Sequence, residues 1–385
     1  MRVLGLISGT SHDGIDAAVV ELTHSADVLR MRVVGTDSVP YAAALRARLV
    51  AALPPAPSTV DELTELDTLI GQAFAEVAAT MADRHGPLDL ICSHGQTVFH
   101  WVERGRALGS LQLGQPAWIA ERTGVPVVAD VRLRDITAGG QGAPLVPILD
   151  ELLLADADAP AAALNLGGIA NVTVVRPGWP SIAYDIGPAN ALVDAVVQDR
   201  ELDPHGYDTD GRLAAAGTVD SALLQHLLAD PYYTEPAPKS TGKEHFHLTY
   251  VREQVGDRQL SDADLVATLT RLTAETVGRD LAGLGVRRVI AAGGGTANPV
   301  LMGWLAEVAA GVAIVTTDAL GIPADAKEAI AFALIGWCSW HGLPGNVPSA
   351  TGAEAPRVLG ALIPGKEPLR LPEPLESLPG LVIER

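Results

Sequence analysis

Cysteine and positive charge are both scarce in this sequence. Its 385 residues include two cysteines, Cys92 and Cys338, and 27 Lys and Arg against 46 Asp and Glu, which gives a net charge of −19. Both cysteines lie in apolar segments outside any metal-ligand spacing, so neither a disulfide framework nor a structural zinc site is expected. Duplex-binding proteins need clustered Lys and Arg, so we expect no nucleic-acid partner. Small anionic ligands stay compatible with this charge, because backbone N–H groups can hold them.

Long hydrophobic runs are missing as well. The longest apolar stretch late in the chain, Ala329–Trp340, has about 12 residues, whereas a membrane-spanning helix needs roughly 20. The apolar N-terminal stretch Met1–Ile7 is too short for the hydrophobic region of a secretory signal. We therefore expect a protein without a membrane partner that is located in the cytoplasm.

The overall composition of the chain is typical of a folded protein with sizeable hydrophobic cores. Hydrophobic residues make up 48% of the chain and charged residues 19%, which excludes a disordered protein, and the length suggests roughly two domains. Short apolar runs that end at Gly, Ser or Asp alternate with longer segments of helical period. This alternation predicts an α/β fold with a partly parallel sheet, in which ligands bind at the carboxyl ends of the strands.

Two predicted hairpins share one layout: an apolar strand, a polar turn that contains glycine, and a second apolar strand. The strands are Val3–Ile7 and Ile15–Leu22 around the turn 9–14, and Ala161–Leu166 and Asn171–Val175 around Gly167 and Gly168. This repetition predicts a duplicated architecture with a cleft between its halves. A break in periodicity at 139–144 divides the chain into domains 1–140 and 141–365 and a loose tail 366–385, with a final helix at about 326–341 that packs back on the first domain.

Local patterns predict where two elements near the first site begin and end. Ser58, followed three residues later by Asp61, resembles a capping box that opens a long helix to about His85. A short strand is expected at Leu88–Cys92, because this apolar run ends in polar residues.

The turn Gly9–Gly14 is the first candidate site. Its backbone N–H groups and hydroxyls suit phosphate oxygens, and the Asp13 carboxylate could orient a water on Mg²⁺. An ordinary hairpin turn uses the same residue types, and this feature alone favours that interpretation. It is not a P-loop, and the most similar piece of the chain, 240–244, does not match that pattern either.

Two further candidates follow predicted strands. Gly293–Gly295 joins a strand to a helix, where glycines let a ligand approach the backbone and the helix N-terminus favours anions. The alternative is a tight joint, but three glycines exceed what a joint needs, so we prefer the functional interpretation. Asp185 follows the strand at 182–184 and could act as a general base facing the predicted cleft. It could equally be the N-cap or turn residue of the helix that follows.

A fourth group combines His94, Arg132, Arg134 and Glu328. A histidine at a strand end more often makes a structural hydrogen bond than takes part in chemistry. Arg132 and Arg134 alternate around a short segment expected to be extended, so that one faces the cleft and the other solvent. Glu328 lies in the acidic first turn of a helix, which by itself is favourable helix electrostatics.

Several motifs of the chain occur together in one order, over about residues 3–365. They are Ile7–Asp16, Ser93–Thr97, Gly139–Pro147, Asn165–Asn171, Pro238–Glu244 and Asp325–Ala329. Each alone is weak, but the ordered set closely resembles the anhydro-N-acetylmuramic acid kinase family. The resemblance implies an actin-like ATPase fold of two domains, ATP with Mg²⁺ as cofactors, and a cytoplasmic role in recycling cell-wall sugars. It leaves a homodimer open.

The resemblance also implies the reaction and the residues that carry it. The anhydro bridge of 1,6-anhydro-N-acetylmuramic acid is opened by water while O6 takes the phosphoryl group of ATP. Asp185 matches the catalytic aspartate, Arg132 and Glu328 match sugar-contacting positions, and His94 and Gln96 lie beside them. The nucleotide is expected at Gly9, Thr10, Ser11, His12, Asp13, Gly14, Ile15 and Asp16, at Gly167 and Gly168, and at Gly293, Gly294 and Gly295, with Asp13 reaching the metal through water.

Two departures and two rival interpretations accompany the resemblance. His12 stands where the family usually has an apolar residue, and Ala189 replaces a usual glycine, which could narrow the turn behind Asp185. One rival is another actin-like kinase that phosphorylates a ready-made hydroxyl. The other is a nucleotide-switched interaction protein, which would hydrolyse ATP slowly whatever sugar is present.

Overall fold

The computed structural model describes residues 1–9, 11–237, 239–242 and 245–384. The chain forms two compact units. The first comprises Met1–Leu153, Leu320–Ile322 and Ala326–Arg385, and the second comprises Leu154–Ala319 and Pro323–Asp325. The first unit thus continues past the glycine-rich segment 139–144 to Leu153, and it includes the last long helix.

The strands in the described part of the chain follow in sequence order. They are β1 (Arg2–Ser8), β2 (Gly14–Ser25), β3 (Val28–Pro40), β4 (Leu90–Glu103), β5 (Arg106–Leu113), β6 (Val127–Ala129), β7 (Ala161–Leu166), β8 (Ile169–Arg176), β9 (Trp179–Pro188), β10 (Arg288–Ala292), β11 (Ala313–Thr316), β12 (Ala361–Ile363) and β13 (Gly380–Glu384).

The α-helices fall mainly between these strands. They are α1 (Ala43–Ala51), α2 (Val60–His85), α3 (Pro116–Thr123), α4 (Leu133–Ile136), α5 (Pro147–Leu153), α6 (Ala191–Asp199), α7 (Arg212–Ala216), α8 (Ser221–Leu227), α9 (Leu248–Val255), α10 (Asp262–Leu284), α11 (Pro299–Val308), α12 (Lys327–Trp340) and α13 (Pro348–Thr351). No described helix is both long and apolar enough to cross a membrane.

The first unit is built on a mixed sheet in the order β12-β6-β4-β1-β2-β3-β13, with β5 paired to β4. The predicted N-terminal hairpin is confirmed, because β1 and β2 pair antiparallel with Ile7 opposite Asp16. β1 also runs parallel to β4, which brings Ser8 opposite Gln96. The end of β1, the start of β2 and the middle of β4 therefore meet at the place where the polar motifs begin.

Helices cover both faces of this sheet. On one face α2 buries its apolar stripe, including Leu66, Ile70 and Phe74, against β1 and β2. On the other face α12 forms the second core, and a Cβ at Gly5 of β1 would overlap the Ala329 carbonyl. This close approach seats the first turn of α12 on the sheet, so that Glu328 has a fixed position relative to β2 and β4.

The second unit has a smaller mixed sheet in the order β11-β10-β7-β8-β9. The second predicted hairpin is confirmed as well, since β7 and β8 pair antiparallel with Leu166 opposite Ala170. β10 and β11 extend the sheet in parallel from β7. Helix α10 packs on this sheet, and Ser261 caps it by accepting a hydrogen bond from the Asp264 backbone N–H at 3.1 Å. The expected α/β class, with mixed sheets, is confirmed.

Several local predictions are wrong. The cap of α2 is Thr59, whose hydroxyl accepts from the Glu62 N–H, whereas the Ser58 hydroxyl donates to the Ala52 carbonyl. β4 continues well beyond Cys92, because its second half pairs with β5. The tail is not loose throughout, since β13 adds a parallel edge strand to β3.

The segments around Arg132 and Asp185 also differ from expectation. The segment at Arg132 is not extended, because the Arg132 carbonyl accepts from the Ile136 N–H and opens α4. Asp185 lies within β9 opposite Asn171, so it is not the N-cap of the next helix, which begins at Ala191. The glycine triplet leads into a 3₁₀ turn, Gly294–Ala297, rather than directly into a helix.

Candidate active site

The turn between β1 and β2 is held at both ends by a buried polar contact. The Ser8 hydroxyl lies 2.6 Å from the Gly14 carbonyl and 2.6 Å from Gln96 Oε1, and Gln96 Nε2 donates to the Gly9 carbonyl at 3.1 Å. Ser8 and Gln96 are essentially inaccessible to solvent. Gln96 was expected at the sugar, but the structure places its amide behind the turn, where it fixes the Gly9 backbone.

The tip of this turn is exposed and polar. The Ser11 hydroxyl donates to Asp13 Oδ1 at 2.8 Å. Within the described part of the chain, the Ser11 hydroxyl at 3.8 Å is the one atom beyond the chain neighbours of Gly9 that a Cβ at Gly9 would meet. His12 adopts a left-handed conformation (φ 54°), and its carbonyl accepts from Arg46 Nε. Thr10 lies outside the described residues. The space beside Gly9 is therefore open as far as the described residues are concerned.

The last two positions expected at the nucleotide follow the turn on β2. The Ile15 side chain is buried in the core under α2, so only its backbone could face a ligand. Asp16 is half-buried, and its charge acts on Glu328 of α12. Asp16 therefore belongs to the charged cluster described next rather than to the exposed tip of the turn.

His94, Arg132, Glu328 and Asp16 form one cluster within the first unit, hereafter the charged cluster. Arg132 Nε donates to His94 Nε2 at 2.8 Å, and His94 Nδ1 lies 2.9 Å from the Gly95 carbonyl. Because Nε2 accepts, Nδ1 carries the proton. Burial and the nearby Arg132 charge lower the pKa of His94 to about 3, so its ring is neutral near pH 7. The ring also packs on Phe332 of α12.

The charges of this cluster influence one another. Burial lowers the pKa of Arg132 to about 10, and the Glu328 carboxylate opposes that shift. Burial and the Asp16 charge raise the pKa of Glu328, while Lys327 and Arg132 act in the opposite direction. Arg134 is exposed on α4 and stays outside this arrangement. The cluster therefore combines a guanidinium, oriented by a neutral histidine, with the carboxyl group of Glu328, and both groups can form hydrogen bonds to a polyhydroxyl ligand.

A cavity of about 610 Å³ lies beside this cluster in the first unit, within the ~300–1,000 Å³ range of small-molecule sites. Its lining includes Ser93, His94 and Gly95 of β4, together with Asp130 after β6. Asp130 adopts a left-handed backbone conformation (φ 53°), and burial raises the pKa of its carboxyl. Strained backbone at a non-glycine residue often marks a functional position. Sequence reasoning missed Asp130, although its place after a strand was a usable signal.

In the second unit the Asp185 carboxylate is held by a short segment, Lys239–Gly242. Asp185 Oδ2 accepts from the Ser240 hydroxyl at 2.9 Å and from the Thr241 N–H at 3.0 Å, and the Asp185 N–H donates to the Lys239 carbonyl. The Tyr232 hydroxyl donates to the Asp185 carbonyl at 2.7 Å. Both the backbone and the side chain of Asp185 are thus fixed. Pro238, Lys243 and Glu244 of the same motif lie outside the described residues.

The turn Gly167–Gly168 is bonded to the chain that follows Asp185. The Gly168 carbonyl accepts from the N–H groups of Ala189 and Ala191, and the Gly167 carbonyl accepts from that of Asn190. Ala189 is buried in the core beside β9, so its methyl group is accommodated by packing. The turn behind Asp185 therefore accommodates alanine at position 189, where the family usually has glycine.

The three glycines at 293–295 differ in what surrounds them. At Gly293 (φ 87°) a Cβ would lie 2.6 Å from Asn165 Oδ1, and at Gly295 it would lie 2.8 Å from the Leu166 Cβ. Among the described residues, none outside the chain neighbours of Gly294 lies within 4 Å of a Cβ built there. Packing alone therefore accounts for two of the three glycines, and Gly294 is the open position that a ligand could approach.

Comparison with known proteins assigns these motifs to one family. The family model for anhydro-N-acetylmuramic acid kinase matches residues 1–365. A relative of that name from Streptomyces coelicolor is 53% identical over 382 residues, covering 98% of both chains. One from Rhodococcus erythropolis is 51% identical and covers 96% of both. The chain belongs to the anhydro-N-acetylmuramic acid kinase family. The resemblance inferred from the ordered motifs is thereby confirmed.

Solved structures similar to this family member are much more distant in sequence. An activator of 2-hydroxyisocaproyl-CoA dehydratase from Clostridium difficile with bound ADPNP has a TM-score of 0.40 at 11% identity, over 88% of this chain and 94% of that one. A ROK family glucokinase from Streptomyces griseus has a TM-score of 0.36 at 13% identity, over 86% and 98%.

The structure of this family member also shows which residues could hold a metal ion. Within residues 1–9, 11–237, 239–242 and 245–384, no group of three or more His, Cys, Asp or Glu could hold a metal ion. Asp13 is an exposed carboxylate next to a hydroxyl. Such oxygen donors suit Mg²⁺, which usually keeps several waters and takes one or two carboxylates together with substrate phosphates. The residues at the turn therefore fit a magnesium ion that arrives with a nucleotide.

Proposed function

We propose that this chain is an ATP-dependent kinase that opens the 1,6-anhydro bridge of 1,6-anhydro-N-acetylmuramic acid with water and phosphorylates O6. The products are N-acetylmuramic acid 6-phosphate and ADP, and the reaction belongs to cytoplasmic recycling of cell-wall sugars. The observation that carries the proposal is the identity of 53% over 98% of both chains to a relative named for this activity. The fixed Asp185 and the charged cluster supply groups that such chemistry requires.

The β1–β2 turn is the proposed phosphate site. Its exposed tip offers backbone N–H groups and the Ser11 hydroxyl, and the open space at Gly9 permits close approach. Asp13 would hold the magnesium ion through water, and the ion, when bound, neutralises phosphate charge. We also assign Gly294 to the nucleotide, because it is the member of the triplet with open space beside it. Gly293 and Gly295 then shape the chain around it.

Arg132 and Glu328 are the proposed sugar contacts. Phosphoryl-transfer enzymes act mainly by positioning and charge stabilisation, so the sugar must be held in one orientation. The Arg132 guanidinium is oriented through Nε by neutral His94, and Glu328 accepts hydrogen bonds from sugar hydroxyls. His94 thus acts through Arg132. Gln96 acts on the phosphate site through the Gly9 carbonyl.

Asp185 is the proposed general base. Its carboxylate takes a proton from water as the water oxygen bonds to the anomeric carbon. The electron pair of the broken bridge bond stays on O6, which then forms a bond to the γ-phosphorus while the bond to ADP breaks. The proton leaves Asp185 for solvent after the product departs. Ser240 and Thr241 orient the carboxylate for this transfer.

ADP release tests the proposal and separates it from its rivals. We expect rapid release with 1,6-anhydro-N-acetylmuramic acid and ATP, and slow release without sugar or with N-acetylmuramic acid. A kinase for a ready-made hydroxyl would turn over quickly with N-acetylmuramic acid. A nucleotide switch would release ADP slowly and equally in all three cases. Either result would overturn the proposed function.

A further inference from the structure

Three residues at the proposed base are joined in a closed ring of hydrogen bonds. The Asp185 N–H donates to the Lys239 carbonyl at 3.0 Å, and Lys239 Nζ donates to the Tyr232 carbonyl at 2.8 Å. The Tyr232 hydroxyl closes the ring by donating to the Asp185 carbonyl at 2.7 Å. Lys239 Nζ also lies 4.4 Å from the centroid of the Tyr232 side chain, which is the geometry of a cation–π contact. The two residues that hold the backbone of Asp185 are therefore also bonded to each other.

The ring lies at an edge of the second sheet, next to an irregularity in its pairing. β9 is the last strand in the order of that sheet. Opposite Asn171 and Ala170 of β8 stand Asp185 and Gly187, so Ile186 is the extra residue of a β-bulge. Bulges change the direction of nearby groups and are frequent beside active sites. The ring thus holds Asp185 at a place where the strand ladder alone fixes it less firmly.

Tyr232 gives the ring a rigid anchor. It lies in a 3₁₀ turn, Pro231–Thr234, and is 4% exposed in a core that includes Phe246. Phe246 packs edge-on against the Tyr232 side chain, with the ring centroids 5.9 Å apart. Residues 239–242, by contrast, belong to no helix or strand, and Ser240 is exposed. Ordering such a segment costs conformational entropy, so it needs contacts from outside to keep one conformation.

Covering the strand edge explains only part of the ring. The Asp185 N–H and carbonyl need partners at an open edge, and the Lys239 carbonyl and the Tyr232 hydroxyl supply them. The bond from Lys239 Nζ to the Tyr232 carbonyl is not needed for that purpose. It fixes the start of the segment whose next two residues, Ser240 and Thr241, donate to Asp185 Oδ2. Holding Lys239 in place therefore also holds the donors that orient the carboxylate.

We propose that Lys239 and Tyr232 are positioning residues for the general base, because the ring that they close keeps Ser240 and Thr241 on Asp185 Oδ2. This inference rests on the proposed function of Asp185. A general base must lie within hydrogen-bond reach of the proton that it takes, and a misplacement of about 1 Å can cost roughly a hundredfold in rate. Lys239 and Tyr232 exert this effect through Asp185, without touching the sugar or the nucleotide.

The test opens the ring at two places, singly and together. Lys239→Met removes the ammonium group but keeps an apolar stem, and Tyr232→Phe removes the hydroxyl but keeps the aromatic ring in the core. Each change should lower kcat about tenfold to a hundredfold, while KM and the binding of ATP change little. Because either change opens the same ring, the double variant should lose little more than the more affected single variant. Such coupling is common within one hydrogen-bonded network.

The matched controls make the same chemical changes at exposed positions. Tyr207→Phe removes the hydroxyl of an exposed tyrosine in the same unit, and Lys366→Met removes an exposed ammonium group. Both controls should leave kcat unchanged. If the losses in the two single variants multiply in the double variant, Lys239 and Tyr232 act separately and the inference is wrong. An unchanged kcat in either single variant would overturn it as well.

Amide hydrogen exchange, measured by NMR without substrate, tests the ring without turnover. The Asp185 and Thr241 N–H groups should exchange about tenfold faster in Lys239→Met, as the loss of one hydrogen bond to a charged group predicts. Unchanged protection of both amides in an active enzyme would overturn the inference alone. Faster exchange in Lys239→Met, when the wild-type protein does not consume ATP with the anhydro-sugar, would overturn the proposed function but leave the holding of this segment by Lys239 standing.

Discussion

The two hairpins that open the two units have the same topology but different turns. Between β1 and β2 the turn is long and polar, and buried Ser8 and Gln96 hold its ends while its tip stays exposed. Between β7 and β8 the turn is Gly167–Gly168, and both carbonyls accept hydrogen bonds from the chain that follows Asp185. The first turn is therefore free to face a ligand, whereas the second supports the strand of the proposed base. A repeated topology does not imply repeated chemistry.

The largest expected effect concerns Asp185, which lies on β9 next to the second hairpin. Asp185→Asn keeps the shape of the side chain but cannot accept a proton, so kcat should fall by about 10²–10⁴. Binding of ATP and anhydro-sugar, measured by calorimetry, should be largely kept. Asp199→Asn, at a surface ion pair with Arg252, is the control and should leave kcat unchanged. Retention of more than about a tenth of kcat would place the base elsewhere.

A smaller effect is expected when valine replaces a glycine of the first turn, and its nature differs between Gly9 and Gly14. Gly9→Val projects into open space, so the fold should survive while ATP binding weakens about tenfold to a hundredfold, as loss of one hydrogen bond to a charged group predicts. Gly14→Val should instead destabilise the fold, because a Cβ there would lie 2.5 Å from the Val39 carbonyl. Calorimetry with ATP and thermal melts check both variants. Unchanged ATP affinity in Gly9→Val would remove this turn from the site.

The smallest expected effect concerns the free energy of unfolding, which depends on pH through His94 of the charged cluster. The pKa of His94 is about 3 in the folded protein against an ordinary 6.5, so below pH 6.5 the unfolded chain binds a proton that the folded chain does not. Stability due to this neutral histidine is therefore lost as the pH falls from 6.5 toward 3, by about 1.4 kcal/mol for each pH unit.

The comparison variant for this prediction is His94→Gln, which does not titrate and can still accept from Arg132. Denaturant unfolding at pH 7 and pH 5 should show that the wild-type protein loses about 2 kcal/mol more than the variant between these two values. Equal losses would mean that His94 is protonated in the folded protein at pH 5.

The sequence was most informative where local signals agree. The apolar runs of the first hairpin stop at the polar turn 9–14, and those of the second stop at Gly167 and Gly168. Both hairpins followed from the same kind of pattern. In contrast, the second half of β4 depends on pairing with β5, and β13 depends on pairing with the distant β3. No local pattern carries such pairings.

The candidate site divides in a similar way. The residue types could suggest the turn 9–14 and the candidate group that contains Arg132 and Glu328. Only the family resemblance gave Arg132 and Glu328 a shared role at the sugar. The hydrogen bond from Arg132 to His94 requires the sheet to be assembled, because His94 lies on β4 and Arg132 follows β6. Asp185 was placed at a strand end because the apolar run stops before it, whereas pairing with β8 carries β9 through it.

One measurement tests the central claim most directly: mass spectrometry of the sugar product formed in ¹⁸O-labelled water. If water opens the anhydro bridge while O6 takes the phosphoryl group, the product carries one phosphate and a single ¹⁸O atom at its anomeric hydroxyl when analysed before exchange with solvent. We predict a product that carries both the phosphate group and the ¹⁸O label. A phosphorylated sugar without the anomeric label, or a labelled sugar without phosphate, would contradict the coupled reaction.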